Sequence, residues 1–120
     1  MNFAKAITVC CITLLLFSNY ASATKGAVTS RVIRILTDDT RYGGCMAEMA
    51  TSPSTVLAGC GTRFVTFDCL NTLGTTNKSN AQTRFASAQL AYVTGNDLYV
   101  KFDDSKTING YCYAERADNR

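Results

Sequence analysis

The chain has 120 residues, with 12 basic and 9 acidic side chains and a net charge of +3. This length allows one domain with a modest core, and so slight a charge argues against nucleic acid or an anionic membrane as a partner. The sequence contains no histidine, which removes the commonest general base and the commonest zinc ligand. We therefore expect neither a metal nor a cofactor.

Residues 1–23 have the three parts of a secretory signal peptide. Lys5 precedes an apolar stretch from residue 6 to residue 17, and the segment ends in small residues up to Ala23. The alternative is a membrane anchor, but such a span needs roughly 20 apolar residues. We expect cleavage after Ala23, export to the periplasm or beyond, and one mature domain over residues 24–120. Loss of Lys5 leaves 11 basic and 9 acidic side chains, a net charge of +2.

The cysteines of the mature segment indicate disulfides. Four of the six cysteines remain after cleavage, and an even number in an exported chain indicates two bridges out of three possible pairings. Their spacing contains no CxxC pair, so a zinc site is not expected. The four are Cys45, Cys60, Cys69 and Cys112.

In chain order, residues 24–29 are small and polar and predict a loose leader. Three strands follow, a helix of about 14 residues comes next, and two more strands precede a tail over residues 116–120 that we expect to fray. Ser79 and Gln82 have the spacing of a capping box for the helix, and Gly95 is placed to end it. The predicted apolar stripe of the helix is Ala81, Phe85, Ala88 and Tyr92. The predicted strands cover residues 31–36, 45–50, 63–69, 97–102 and 111–115.

This mainly β order, β-β-β-α-β-β, predicts an OB-fold-like, five-stranded, partly closed Greek-key barrel with one helix between strands 3 and 4. An open α+β sheet is the alternative. In the barrel, a hairpin of strands 2 and 3 places Cys45 opposite Cys69. Strands 3 and 5 run parallel where the barrel closes, which brings Cys60 near Cys112. We therefore predict the disulfides Cys45–Cys69 and Cys60–Cys112.

Three segments carry a resemblance to a known family. Ser30 opens a first strand of branched apolar residues, Cys45 and Cys69 match a pair that joins strands 2 and 3, and residues 89–95 with 98–100 match a helix end and the following strand. In these features the chain resembles the receptor-binding B subunits of one-A, five-B bacterial toxins, especially the subtilase-cytotoxin and typhoid-toxin type. Residues 103–112 also look like small exported bacterial proteins without an assigned role.

The resemblance implies a secreted, non-catalytic binding protein that recognises sialylated cell-surface glycans. Its implied partners are four further copies in a ring and an enzymatic A chain. By its position in the family pattern, Ser30 is a candidate sugar contact, although an ordinary strand-start serine is the alternative. The alternative function is a monomeric secreted or envelope interaction or inhibitor protein that binds a protein partner.

Five tyrosines are numerous for so small a domain, and aromatic faces flanked by Asn and Asp suit carbohydrate or peptide binding, although most such tyrosines only pack in a core or at its rim. Tyr42 and Tyr99 are the ligand-binding candidates among them. The other three are Tyr92, Tyr111 and Tyr113.

Acidic residues suggest two further kinds of site. The pairs Asp38-Asp39 and Asp103-Asp104 could supply oxygen ligands to calcium, but they lie in predicted turns that favour Asp anyway. Glu48, Asp68 and Glu115 lie on strands that could converge as in a hydrolase, but such chemistry needs a deep cleft that a small domain rarely has. We therefore expect no catalytic residues and no enzymatic activity.

Overall fold

The computed structural model describes residues 24–75 and 77–120, so the predicted signal peptide, residues 1–23, lies outside the described residues. The described chain is mainly β, with one α-helix between its third and fourth strands. The elements in chain order are β1 (Lys25–Thr37), β2 (Cys45–Met49), a 3-10 turn (Pro53–Thr55), β3 (Phe64–Thr66), α1 (Lys78–Thr94), β4 (Asp97–Ile108) and β5 (Tyr111–Asn119).

The five strands form a closed barrel in the order β1-β2-β3-β5-β4. Neighbouring strands are antiparallel, except that β3 and β5 run parallel and meet at Thr66 and Tyr113. This arrangement confirms the predicted OB-fold-like barrel and rules out the open sheet.

Alternation along the strands separates the inside of the barrel from its outer face. On β2, Cys45, Ala47 and Met49 are at most 1% exposed and belong to the core. The helix packs on this core through Phe85, whose ring centroid lies 5.7 Å from that of Phe67. Burying one such ring stabilises the fold by roughly 1.5–3 kcal/mol.

The helix begins earlier than the sequence predicts. Asn77 is the N-cap, and its side-chain Oδ1 accepts a hydrogen bond from the Asn80 amide at 2.7 Å. The predicted capping box at Ser79 and Gln82 is therefore wrong, since both residues lie inside the helix. Asn caps a helix at least as well as Ser, and the earlier start lengthens α1 to 17 residues. At the other end, Gly95 terminates the helix with φ 73°, as predicted.

The apolar stripe of α1 also ends differently. Ala81, Phe85 and Ala88 are buried as predicted, but Ala91 continues the stripe and Tyr92 is 49% exposed. Residues 91 and 92 both suit the helical period, because the next residue on the same face of a helix lies three or four positions after Ala88. Ala91 is small enough to lie against the barrel, and the bulky Tyr92 turns outward.

Both predicted frayed segments belong to strands. Residues 24–29 lie mostly within β1, which pairs with β4 from Lys25 opposite Asp103 to Arg31 opposite Asp97. The tail, residues 116–120, continues β5 as far as Asn119 and also pairs with β4. These segments are polar because only one of their faces is buried, and β4 is long enough to pair with both of them.

Two disulfides cross-link the barrel, Cys45–Cys69 and Cys60–Cys112, with Cα atoms 5.7 Å and 5.2 Å apart. They are the same two pairs that the strand order predicts. The second joins the segment before β3 to the start of β5, next to the parallel seam. Two such bonds in a small domain indicate an oxidising compartment.

We expect the double substitution Cys60→Ser, Cys112→Ser to lower the free energy of unfolding by about 2–5 kcal/mol. The loss should exceed that of Cys45→Ser, Cys69→Ser, because the Cys60–Cys112 bond joins residues 52 apart and the Cys45–Cys69 bond joins residues 24 apart. Chain entropy sets this difference at roughly 0.7 kcal/mol. Urea denaturation of both variants measures it, and the reverse order would contradict the expectation.

Candidate functional site

The outer face of β1, β2 and β3 carries two rows of side chains set by strand register. Glu48 pairs with Arg34 on one side and with Phe64 on the other, and Met46 pairs with Leu36 and Thr66. Met46 is only 2% exposed although it lies opposite the core-facing side of β2. Side chains on the outside of the barrel therefore cover Met46 on this face.

The cover is a cluster of aromatic side chains around a shallow hollow, which we call the aromatic hollow. Its volume is about 130 Å³. Tyr111 lies between the other two rings, with its centroid 5.7 Å from Tyr42 and 5.9 Å from Phe64, and both contacts are edge-to-face. This geometry suits the charge distribution of aromatic rings. The lining residues are Leu36, Tyr42, Met46, Phe64 and Tyr111.

Tyr42 lies in the loop between β1 and β2, and hydrogen bonds fix that loop to the barrel. The Thr66 hydroxyl donates to the Tyr42 carbonyl at 2.6 Å. The Asn109 side-chain amide, in the loop between β4 and β5, donates to the Arg41 carbonyl. The two loops that flank the hollow are thus tied to each other, so the fold itself fixes these walls.

Tyr111 is held just as firmly on the other side. The Gly61 amide donates to the Gly110 carbonyl at 2.8 Å, and the Tyr111 ring lies directly against Gly61. The Cys60–Cys112 disulfide joins the two residues next to this contact. The covalent bond that closes the barrel therefore also fixes one wall of the hollow.

Charged side chains form one edge of the hollow, beside Phe64. The Glu48 carboxylate, 10% exposed, lies 2.9 Å from Nε of Arg34 and 3.5 Å from Nη1 of Arg63. The Arg34 guanidinium also lies over the Phe64 ring, 5.1 Å from its centroid. Two guanidinium groups and one carboxylate leave this edge with a net positive charge.

The structure brings only one of the three predicted ligand-binding residues to the hollow, Tyr42. Ser30 is 6% exposed and lies on the buried face of β1, where its hydroxyl accepts from the Thr51 amide at 2.8 Å and donates to the Arg31 carbonyl at 3.3 Å. Tyr99 lies on the outer face of β4, with guanidinium groups 5.5 Å and 5.0 Å from its ring centroid. Ser30 and Tyr99 thus lie on opposite faces of the sheet.

Sequence reasoning missed Arg34, Phe64 and Arg63, and it gave Tyr111 no more weight than the other tyrosines. A signal was present in the alternation, since inward Ala47 and Val65 imply that Glu48 and Phe64 point outward. The sequence alone does not show which loop residues fold back over that face.

The three carboxylates considered for hydrolysis are each bound in a separate place. Glu48 pairs with the two arginines, and Asp68 accepts from the amides of Thr72 and Leu73 at 2.7 Å and 2.9 Å. Glu115 lies 3.0 Å from the Lys25 ammonium, and this contact raises the pKa of Lys25. The carboxylates therefore do not form a paired site.

Of the two Asp pairs considered for calcium, Asp38-Asp39 lies in the turn between β1 and β2, whereas Asp103-Asp104 lies within β4 and not in the predicted turn. Asp38 accepts from the amides of Arg41 and Thr40, and these bonds lower the pKa of Asp38. Within residues 24–75 and 77–120, no group of three metal-binding side chains is placed to hold an ion.

Comparison with protein-family models, curated proteins and solved structures finds no match to this chain. Among the described residues, no helix has the length and apolar character that a membrane span requires.

We expect Gly61→Ala to displace Tyr111 and to destabilise the protein by about 1–3 kcal/mol. An added Cβ would lie 2.6 Å and 2.8 Å from Tyr111 ring carbons and 3.0 Å from the Gly110 carbonyl oxygen. Gly59→Ala is the matched control, because the added Cβ would lie no closer than 3.6 Å to Asp104. This substitution should change the free energy of unfolding by less than about 0.5 kcal/mol. Thermal unfolding and near-ultraviolet circular dichroism measure both effects, and equal stability of the two variants would contradict the close packing of Tyr111.

Asp103 should make part of the stability dependent on acid. Burial by itself raises the pKa of this carboxyl, but hydrogen bonds from the Ser105 hydroxyl and amide, aided by Lys106 and Lys25, outweigh burial and hold it below its ordinary value of 3.8. A carboxyl with a lowered pKa stabilises the fold above the unfolded value and loses that contribution as pH falls through the folded value.

Asp103→Asn should therefore lower stability at pH 7 by about 1–3 kcal/mol and flatten the decline below pH about 4. Urea denaturation between pH 7 and pH 2 tests this, with the exposed turn residue Asp39→Asn as the control. If the stability of Asp103→Asn falls with pH as steeply as that of the unaltered protein, groups other than Asp103 cause the fall.

Proposed function

We propose that this protein is a secreted, non-catalytic binding protein that recognises cell-surface glycans, as its resemblance to toxin B subunits implies. The observation that supports this function is the aromatic hollow on the outer face of β2 and β3. It lies between the β1–β2 loop, which holds Tyr42, and the β4–β5 loop, which precedes Tyr111. OB-folds bind oligosaccharides with this face and these two loops.

The size of the hollow favours binding over catalysis. Its volume of about 130 Å³ is well below the roughly 300–1,000 Å³ of pockets that enclose a ligand. A sugar ring can lie on the apolar faces of Phe64 and Tyr111 while the tyrosine hydroxyls bond its polar groups. Such a site holds the end of a glycan and leaves most of it in solvent.

The charge at the edge of the hollow favours sialylated glycans over neutral ones. Arg34 and Arg63 together carry one more charge than Glu48 neutralises. Sialic acid carries a carboxylate, so its charge complements that of the protein.

Export fits the ordered start of the mature segment. The Thr24 amide donates to Asp104 Oδ1 at 2.9 Å, and the Asp104 amide donates to the Thr24 carbonyl at 3.1 Å. A chain cleaved after Ala23 would keep both contacts. The two disulfides suit the oxidising periplasm or the extracellular space.

A ring of five copies would compensate for the shallow site. One shallow hollow gives weak affinity, and several hollows that face the same cell surface raise the avidity by orders of magnitude without any new contact. An enzymatic A chain would be the natural partner of such a ring.

The second candidate function is a monomeric secreted or envelope protein that binds or inhibits a protein partner. The outer side of α1 favours it, because Leu90 is 55% exposed, Tyr92 is 49% exposed and Val93 is 80% exposed. Aromatic and apolar residues with few charges are typical of the centre of protein interfaces.

The first proposal predicts that the mature protein, residues 24–120, elutes near five copies and binds sialylated glycans on an array. Phe64→Ala should weaken that binding roughly 30-fold, which corresponds to about 2 kcal/mol for removal of a central aromatic contact. Surface plasmon resonance on an immobilised sialylated glycan measures the loss.

Tyr99→Ala is the matched control, because it removes an aromatic ring from the outer face of β4, away from the hollow. The affinity of Tyr99→Ala for the sialylated glycan should equal that of the unaltered protein. A monomer that binds no glycan would contradict the proposal and favour the second candidate.

A further inference from the structure

The charged edge of the aromatic hollow is asymmetric. The Arg34 guanidinium has two contacts, an ion pair of 2.9 Å with Glu48 and the Phe64 ring beneath it. Arg63 reaches the same carboxylate only at 3.5 Å, the outer limit of a hydrogen bond, and its side chain is 62% exposed. Glu48 therefore neutralises Arg34 more than Arg63, and the surplus positive charge lies mainly on Arg63.

The backbone at Arg63 is also unusual. Its φ of 65° lies in the left-handed region, which disfavours residues with a side chain. Two hydrogen bonds hold it there, from the Arg63 amide to Ser52 Oγ at 2.8 Å and from the Met49 amide to the Arg63 carbonyl at 2.7 Å. Glycine would adopt this conformation more easily. The fold thus gains nothing in backbone energy from arginine here, and strained backbone of this kind clusters at ligand-binding sites.

From this asymmetry we propose that Arg63 determines the specificity of the hollow by binding the carboxylate of an acidic sugar whose ring lies on Phe64. The guanidinium presents its donors in a planar fork that matches both oxygens of a carboxylate. The Arg63 guanidinium reaches the Glu48 carboxylate, and Glu48 is the register partner of Phe64, so Arg63 and Phe64 present their side chains on the same outer face. This inference rests on the proposed glycan-binding function and adds the residue that selects the acidic terminal sugar.

Arg63→Gly is the decisive variant, because it removes the guanidinium and also relieves the left-handed backbone. The probes are 3′-sialyllactose and lactose, which differ by the acidic sugar. We expect Arg63→Gly to lose at least about tenfold in affinity for 3′-sialyllactose, to keep its affinity for lactose, and to unfold at no lower a temperature than the unaltered protein. Arg63→Lys, which keeps the charge and loses the fork, should retain an intermediate preference.

Arg31→Ala is the control for net charge. Arg31 is exposed on β1 opposite Asp97, and its loss removes one positive charge without altering the hollow. Its preference for 3′-sialyllactose should equal that of the unaltered protein. If Arg63→Gly keeps the preference, or if Arg31→Ala loses it equally, Arg63 is not the selecting residue and glycan binding itself still stands. If the unaltered protein binds neither sugar, the proposed function fails and the inference fails with it.

Discussion

The contact between β3 and β5 is the constraint on which the rest of the structure depends. β3 has only three residues, and it meets β5 through a single parallel pair, Thr66 and Tyr113. So short a seam has few backbone hydrogen bonds to keep it closed. The Cys60–Cys112 disulfide reinforces it beside the pair, and the buried Thr66 hydroxyl ties the same strand to the β1–β2 loop. Closure therefore fixes the barrel and, at the same position, the two loops that form the hollow.

Strand order, the helix position and both disulfide pairs could be predicted from the sequence, because each depends on alternation and on topology. Val65 and Phe67 show which face of β3 is buried, and the OB-like order then requires β3 and β5 to meet. The predicted first and last strands are shorter than β1 and β5, because residues such as Lys25 and Arg116 look like solvent-exposed tails in the sequence. Their pairing depends on the length of β4, which local sequence does not show.

The hollow could not be predicted for a related reason. Tyr42, part of its lining, comes from the β1–β2 loop, which hydrogen bonds from Thr66 and Asn109 hold in place. Ser30 differs from expectation in its exposure, since a strand-start serine looks exposed in the sequence, while in the structure Ser30 is buried and its hydroxyl accepts a 2.8 Å bond from the Thr51 amide. Hydrogen bonds between residues far apart in the chain place both side chains. The alternation of apolar and polar residues in the sequence does not reveal such bonds.

Two residues beside the hollow, Gly61 and Arg63, bear on the proposed binding function. Gly61 gives up a side chain where the Tyr111 ring needs the space, and Arg63 adopts a backbone conformation that glycine would tolerate more easily. Arginine at position 63 costs the fold some backbone energy, whereas glycine at position 61 leaves room for the Tyr111 ring, and together they place an aromatic face beside a guanidinium. The proposed acidic ligand gives a physical reason for an arginine at this position in addition to its long contact with Glu48.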